Sequence, residues 1–471
     1  MLEYCDIILI RIFIEEKLMT DEEKRTLYMR KYEDNRAQID LRISQGIEKY
    51  RKGEKVLCFK DEAGKPLSGK KVKIKQRTHD FKYGANIFML DQFESADDNA
   101  LYRSIFKEYF NFATLPFYWN TFEPEEGKLR FEKGSPKIFR RPPTDLCLEY
   151  CNENGITPKL HCLYYDKFTP DWCAGYDKKA LLLKLEKRFS QIAERYCGKM
   201  FEIEVTNELF ITKERKTALA FERGIAKTCF DLARKYFPDE KLTINEANQI
   251  PDIARLDYYS PYFLQCEGLL LQNTPIDRIG LQNHLFVGAS SRTQASYEAQ
   301  LRERAYWNDP FMYFRALDVM AELKKPLEIT EATVPTFGTT EEDEALQADI
   351  LRLWISVFFS HPAVDAFVYW NTVDDYAYAS PDWNENKCRG GLFHRDLTPK
   401  MSALVLKKLF SEEWHTECEL VTDKNGEVSF RGFFGDYTAE CSGRTYGFGV
   451  HKSGKSRFGS DISDFKECFA L

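Results

Sequence analysis

The chain has 471 residues, 43% hydrophobic, 30% charged and 14% aromatic, the balance of a soluble globular protein with room for one barrel-sized domain and additions. A formal charge of −7 leaves no electrostatic footprint for a phosphate backbone, which excludes nucleic acid as an expected partner. The 13 cysteines are odd in number and scattered, and Cys147 and Cys151 have no second pair or nearby histidine; they read as reduced core thiols of a cytoplasmic protein, with no metal site.

In chain order, CDIILIRIFI at the N-terminus is an apolar run broken by Asp6 and Arg11. It is too short to span a membrane and lacks the basic start and small-residue cleavage site of a secretory signal. An alternative is that residues 1–18 are a mis-assigned start, because MTDEEKRTLYMRKYED from Met19 reads as an ordinary beginning of a charged helix. Residues 20–52 predict one amphipathic helix, anchored by Leu41, Ile43 and Ile47 on the outside of something larger, so that 1–52 form an N-terminal extension. Within 53–80, VLCFKDEAGKPLSGKKVKIKQRTH alternates around two glycine turns and predicts an antiparallel hairpin. A comparable signal closes the chain at 411–471, where CELVTDKNGEVSFRGFFGDYTAEC carries Asn425-Gly426 and Gly435-Asp436 between alternating runs. Both ends are expected to share one small sandwich-like β module. Its Trp414, Phe433 and Tyr437 are expected to pack against the barrel rather than to bind carbohydrate.

Between them, 81–410 repeat a rhythm of short apolar or β-branched runs and longer helical segments such as KKALLLKLEKRFSQIAERY and EEDEALQADILRLWISVFFS. The runs are FKYGANIF, FNFATLPF, ITPKLHCLYY, FEIEVTNE, KLTINEAN, RIGLQNHLF, PLEITEAT and VDAFVYWN. Parallel strands need crossover helices, and eight such units predict an α/β fold, a (β/α)8 TIM barrel with a small β-rich accessory module built from both chain ends. A doubly wound open sheet is disfavoured, since no GxGxxG opens a helix after the first strand.

Catalytic groups of such a barrel come from the C-terminal ends of its strands. There the runs supply His161, Asn207 with Glu208, Asn245 with Asn248, Gln282 with His284, Glu331 and Trp370. Two carboxyl groups at neighbouring mouth positions, one protonated and one ionised, are the equipment for cleaving an acetal.

These residues, in this order, give the chain a resemblance to family 10 of the glycoside hydrolases, the retaining endo-β-1,4-xylanase family, as a divergent member. The shared motifs are Trp119, Glu123, Pro124 and Gly127; His161, Pro170 and Trp172; Asn207-Glu208; Gly280, Gln282, His284 and Leu285; Ile329-Thr330-Glu331; Trp370; and Phe393 with Pro399-Lys400. The resemblance implies Glu208 as general acid/base and Glu331 as nucleophile. It further implies that Asn207 senses the sugar 2-hydroxyl, that His284 holds Glu331 oriented and ionised, and that Gln282 and His161 bind the −1 sugar. Trp370 would offer a flat platform, with Tyr118, Trp119, Tyr165, Asn245 and Tyr378 lining the rest of the substrate site. No cofactor and no membrane partner is implied; an oligo- or polysaccharide is.

The chain departs from the family where xylanases grip the sugar beyond the cleavage point. Thr114, Leu115 and Tyr118 stand in place of a Glu, an Asn and a Lys; Tyr165, Asp166 and Phe168 in place of Trp, His and Gln; Asn245-Glu246-Ala247-Asn248 in place of Asn-Asp-Tyr-Asn; and Tyr378 in place of Trp. Lost polar contacts imply an altered substrate: a decorated xylo-oligosaccharide or another β-linked glycan. The alternatives are a β-glycosidase on a non-xylan substrate and a glycan-binding barrel without hydrolysis. The sugar in each subsite, endo or exo action and the oligomeric state are left open.

Overall fold

A computed structural model describes residues 19–211, 215–452 and 466–470. The two readings of residues 1–18 therefore lie outside the described residues. Thr20 opens α1 (Asp21–Glu33) with a reciprocal cap: its hydroxyl accepts from the Glu23 amide at 3.2 Å, and the Glu23 carboxylate accepts from the Thr20 amide at 2.7 Å. Acidic residues fill the first turn and Arg30 and Lys31 the last, in the sense the helix dipole favours. The expected single helix is broken at Asp34-Asn35, and α2 (Arg36–Tyr50) begins in a new phase. That break changes the anchor. Ile39 is 1% exposed whereas Leu41 is 57% exposed, with Ile43 and Ile47 packed partly against the core. Gly46 lets α2 approach the helix Glu341–Ser360 closely, since a Cβ there would clash with the Ser360 carbonyl oxygen.

β1 (Lys52–Lys60) and β2 (Lys71–Gln76) do not form the expected hairpin. The barrel follows: β3 (Lys82–Asn86), β4 (Phe112–Pro116), β5 (Thr157–Tyr164), β6 (Glu202–Asn207), β7 (Lys241–Asn245), β8 (Arg278–His284), β9 (Leu327–Thr333) and β10 (Val364–Tyr369). They close in the order β10-β3-β4-β5-β6-β7-β8-β9, one strand within each of the eight runs read from the sequence. A two-residue pair, β11 (Ala379–Ser380) and β12 (Trp383–Asn384), sits in the loop after β10. β13 (Glu417–Val421), β14 (Glu427–Phe433), β15 (Gly435–Cys441), β16 (Arg444–Val450) and β17 (Lys466–Ala470) complete the chain.

The terminal strands interleave in two sheets, β14-β1-β17 and β13-β2-β15-β16. Alternation correctly marks β1 and β2 as half-buried strands but carries no information about partners. Each pairs instead with C-terminal strands on both sides, and residues 61–70 cross between the sheets. Leu57, Phe59, Val72, Ile74, Val428, Tyr437 and Phe448 fill the space between them. Trp414, Phe433 and Tyr437 are buried, and Trp414 stacks on Phe359 of the barrel at 4.2 Å. Among the described residues no helix is long and apolar enough to cross a membrane.

Module and barrel meet at two buried basic groups. Arg51 donates to the carbonyls of Phe359, His361 and Val364, satisfying acceptors around the C-terminus of the helix Glu341–Ser360. His79 Nε2 lies 3.2 Å from the Phe410 carbonyl and accepts through Nδ1 from the Gln76 amide at 3.3 Å, the pattern of a neutral ring. Burial pushes the His79 imidazole down to about 4. Because the folded value lies below the unfolded one, the unfolded chain takes up the proton first, and stability is lost as pH falls from the ordinary histidine range towards 4. His79→Gln is expected to flatten that stretch of a pH–stability curve by up to about 3 kcal/mol. Parallel curves from chemical denaturation at several pH values would contradict it.

Candidate active site

The interior of the barrel is charged below its mouth. Lys159 of β5 lies 3.2 Å from Glu202, 3.3 Å from Glu204 and 2.8 Å from Glu328, and Arg278 of β8 sits 2.9 Å from Glu202. Burial would push the Glu202 carboxyl up, yet Lys159 and then Arg278 hold it at about 2; Glu328 is driven well above the usual carboxylate range by burial and by Glu202 beside it. This cluster fixes the inward register of β5, β6, β8 and β9 and carries polar contacts upward. His161 Nδ1 lies 2.8 Å from Glu204, and its Nε2 lies 2.9 Å from the Tyr118 hydroxyl. His161, Cys162 and Glu204 offer ligand atoms within 4.8 Å of one another. The Glu204 carboxylate is already taken up by His161, Lys159 and the Asn245 amide, which leaves it a structural anion.

Above this layer a cavity of about 480 Å³ opens at the strand C-termini. Glu331 of β9 and Glu208, the residue after β6, face into it, as do His161, Asn207, Gln282, His284, Tyr118, Tyr165, Trp370 and Tyr378. Gln282 stands opposite Glu331 in the β8–β9 register, just past a shift at Leu281 that re-aims the strand end. Its Nε2 donates to Glu208 Oε1 at 2.9 Å and to Glu331 Oε1 at 3.0 Å. The two oxygens are thus no further apart than these bonds laid end to end. Asn245 lies just behind the wall, where its Nδ2 reaches Glu331 Oε1 at 3.1 Å and Asn207 Oδ1 at 3.0 Å while Thr330 donates to its Oδ1 at 2.6 Å.

Glu208 adopts φ 51°, in the left-handed region that a side chain with a Cβ seldom occupies, and its amide is tied to the Asn245 carbonyl at 3.2 Å. The Tyr165 hydroxyl donates to its Oε2. Glu331 is buried; burial pushes its carboxyl well above the usual carboxylate range, with His161 acting downward and the Glu208 charge upward. The Gln282 and Asn245 donors favour the ionised form. His284, expected to hold Glu331 oriented and ionised, is buried beside it. Burial pushes its imidazole down to about 4, so it is neutral, bonded through Nδ1 to the Thr333 hydroxyl at 3.0 Å and only 3.4 Å from Glu331 Oε2 through Nε2.

Trp119 is the expected substrate contact that the structure places elsewhere. It is buried outside the cavity lining, with its indole donating to Glu123 Oε2 at 2.9 Å, while Glu123 Oε1 accepts from the Gly127 amide at 2.8 Å. The Trp-Glu-Pro-Gly motif closes a loop, and Gly127, at φ 83°, supplies the backbone conformation the turn needs. Leu115 is likewise in the core, so that of the apolar replacements Tyr118, Phe168 and Ala247 are the ones that touch the cavity. Asn248 bonds the backbone of His284 on both sides at 2.8 Å. Glu246 accepts from the amides of Ala247 at 3.0 Å and Phe210 at 3.1 Å, and burial raises it to about 8.

Sequence reasoning missed several cavity residues: Phe88, Arg140, Arg141, Lys167, Phe286, Trp383 and Glu385. Phe88 and Phe286 end the runs FKYGANIF and RIGLQNHLF and were signalled by them; Arg140, Arg141, Lys167, Trp383 and Glu385 lie in segments without periodicity. Phe286 stacks on His284 at 4.3 Å, and Trp383 meets Phe286 edge-on at 5.3 Å.

A closed parallel barrel thus carries two carboxyl groups bridged across its C-terminal mouth and walled by aromatic rings, an arrangement with the equipment for acid–base and nucleophilic chemistry on an acetal. The sequence profile of Glycosyl hydrolase family 10 matches residues 78–407, and the chain belongs to that family. Among curated relatives, Anti-sigma-I factor RsgI6 of Acetivibrio thermocellus is 24% identical over 84% of this chain and 45% of its own length. Endo-1,4-beta-xylanase 1 of Arabidopsis thaliana is 23% identical over 84% of this chain and 37% of its own. The chain thus spans less than half the length of these relatives. The solved structure of xylanase 10B from Thermotoga maritima aligns with a TM-score of 0.56 at 21% identity, covering 71% of this chain and 96% of that one, which speaks for the shared fold.

Proposed function

We propose that the protein is a glycoside hydrolase that cleaves β-linked glycosidic bonds in xylan-type or related oligosaccharides with retention of configuration, with Glu331 as nucleophile and Glu208 as general acid/base. The observation that carries this reading is the Gln282 amide shared between Glu208 and Glu331 at 2.9 and 3.0 Å. Carboxyl groups so close match the spacing of about 5–5.5 Å of retaining enzymes and leave no room for the water that an inverting pair, about 6.5–9.5 Å apart, must hold.

In the first step Glu331 attacks the anomeric carbon and the bond to the leaving oxygen breaks as Glu208 protonates that oxygen. In the second, Glu208 removes a proton from water, which displaces Glu331 and releases the sugar. The neighbouring carboxyls share their protons as a coupled pair. Burial by itself favours the neutral form of Glu331; positive charge developing at the anomeric carbon, together with Gln282 and Asn245, favours its ionised form during reaction. Asn207, held by Asn245, is positioned for the 2-hydroxyl, and Trp370 and Tyr378 for sugar faces.

A panel of β-linked oligosaccharides followed by NMR tests the reading. Hydrolysis with the β-anomer formed first is expected; the α-anomer first would overturn the two-step mechanism, and silence across the panel would leave a barrel that binds glycans without cutting them.

A further inference from the structure

At the cavity end walled by Phe88, Tyr118 and Phe168, two consecutive arginines, Arg140 and Arg141, are buried side by side. Other buried arginines are held by several acceptors each: Arg278 by the carboxylates of Glu202 and Asp365, and Arg51, Arg130 and Arg188 by backbone carbonyls. Arg51 donates to three carbonyls, Arg130 to those of Thr121, Pro136 and Arg141, and Arg188 to those of Phe117, Cys162 and Leu163. Arg140 is held by the Tyr376 carbonyl and, at 3.4 Å, by Asn371 Oδ1. Arg141 has a single such bond, from Nη1 to the Arg140 carbonyl at 2.8 Å. Its other N–H groups have no protein acceptor among the described residues, and neither arginine has a carboxylate within ion-pair distance there.

The Arg141 guanidinium carbon lies over aromatic rings, 4.2 Å from the centre of Tyr118, 5.1 Å from Phe88 and 5.8 Å from Phe168. Cation–π contact of this kind offsets part of the cost of burying a cation. The carboxylate whose charge reaches both arginines is Glu385, and its oxygens are engaged by the Asn371 amide at 2.8 Å and the Trp383 indole at 3.4 Å. Two guanidinium charges against one carboxylate leave this end of the cavity positive. A largely buried cation on the cavity wall, stacked on rings and with no carboxylate within ion-pair distance among the described residues, has the chemistry to receive an oxyanion.

We infer that this end of the cleft recognises an acidic sugar, whose carboxylate or sulfate oxygens receive the remaining N–H groups of Arg141 while its ring rests against Phe168 on the cavity wall. The inference rests on the reading of the cleft as a glycan site, and it names the substrate class: β-linked glycans carrying a uronic acid or a sulfate ester. Arg140 positions Arg141 and adds to the field; it is not required to touch the sugar.

The test is calorimetric binding in a Glu331→Ala background, where turnover cannot intervene. Three β-linked disaccharides are compared, identical except that the terminal sugar is glucuronate, glucose or 6-sulfated glucose. At least about tenfold tighter binding of an acidic ligand than of the neutral one is expected, weakening with salt. Arg141→Met should erase that preference while leaving affinity for the neutral disaccharide within a few-fold, and Arg141→Lys, which keeps charge but not the fork, should restore part of it. Preference for glucuronate alone or for the sulfate alone identifies the source of the oxyanion. Equal binding of all three ligands, or a preference that survives in Arg141→Met, would overturn the inference. Because binding is read without hydrolysis, such a result would leave the proposed chemistry standing, and a failure of hydrolysis with acidic preference intact would leave this inference standing. Should Arg141→Met not fold, the Arg141→Lys comparison and the salt dependence of the Arg141-containing protein decide the matter.

Discussion

Glu331→Ala is expected to lower kcat on any hydrolysed β-glycoside by roughly 10⁴- to 10⁶-fold, the scale of losing a covalent nucleophile. The side chain is buried at 4% exposure with donors from Gln282 and Asn245 on one oxygen and neutral His284 near the other. Deleting it leaves those donors around a carboxylate-sized space beside the anomeric carbon. A small anionic nucleophile such as azide should therefore enter from that face, restore turnover of an activated aryl β-glycoside and yield the α-glycosyl azide. Undiminished activity in Glu331→Ala, or rescue that gives the β-azide, would remove Glu331 from the nucleophile's role.

How much of this was legible in the sequence depended on where each residue lies. The barrel strands were readable because they are buried on both faces, so that runs such as FEIEVTNE stand out against the helices between them. Glu208 and Glu331 were readable for a related reason, since polar residues ending such runs face the barrel mouth. Partner choice was not readable: the alternation of Lys71-Val72-Lys73-Ile74-Lys75 is the same whether β2 pairs with β1 or lies between β13 and β15. Trp119 carries the same signature whether its indole meets a sugar or, as here, Glu123, because the two roles differ in direction and not in residue type. The phase of α2 turned on a two-residue break at Asp34-Asn35 that no hydrophobic period announces. Arg140 and Arg141 follow a loop without periodicity, and only tertiary placement separates them from two solvated cations. A departure visible in the sequence, the loss of polar residues at Thr114, Leu115 and Tyr118, gains its meaning from that placement: the Tyr118 ring is the surface on which Arg141 rests.

Glu208→Ala should separate substrates by their leaving groups. Glu208 is held by the Gln282 amide on Oε1 and the Tyr165 hydroxyl on Oε2, and by a left-handed backbone that the Asn245 carbonyl secures. Such restraint serves a group that must protonate one oxygen and then deprotonate another at nearly the same point. Without it, a poor leaving group such as a second sugar departs unprotonated, and its glycosylation rate is expected to fall by about 10²- to 10⁴-fold. A dinitrophenolate needs no proton, so its release should be nearly unchanged, whereas water attack on the glycosyl ester is slowed for every substrate because the base is missing. Pre-steady-state kinetics with dinitrophenyl β-glycosides should then display a burst of phenolate followed by slow turnover, with the ester on Glu331 trapped for mass spectrometry. Azide should accelerate the slow phase and give the β-azide, because the intermediate is attacked on the face Glu208 has vacated. Equal losses for good and poor leaving groups, with no burst, would count against Glu208 as the acid/base and reduce it to a binding residue.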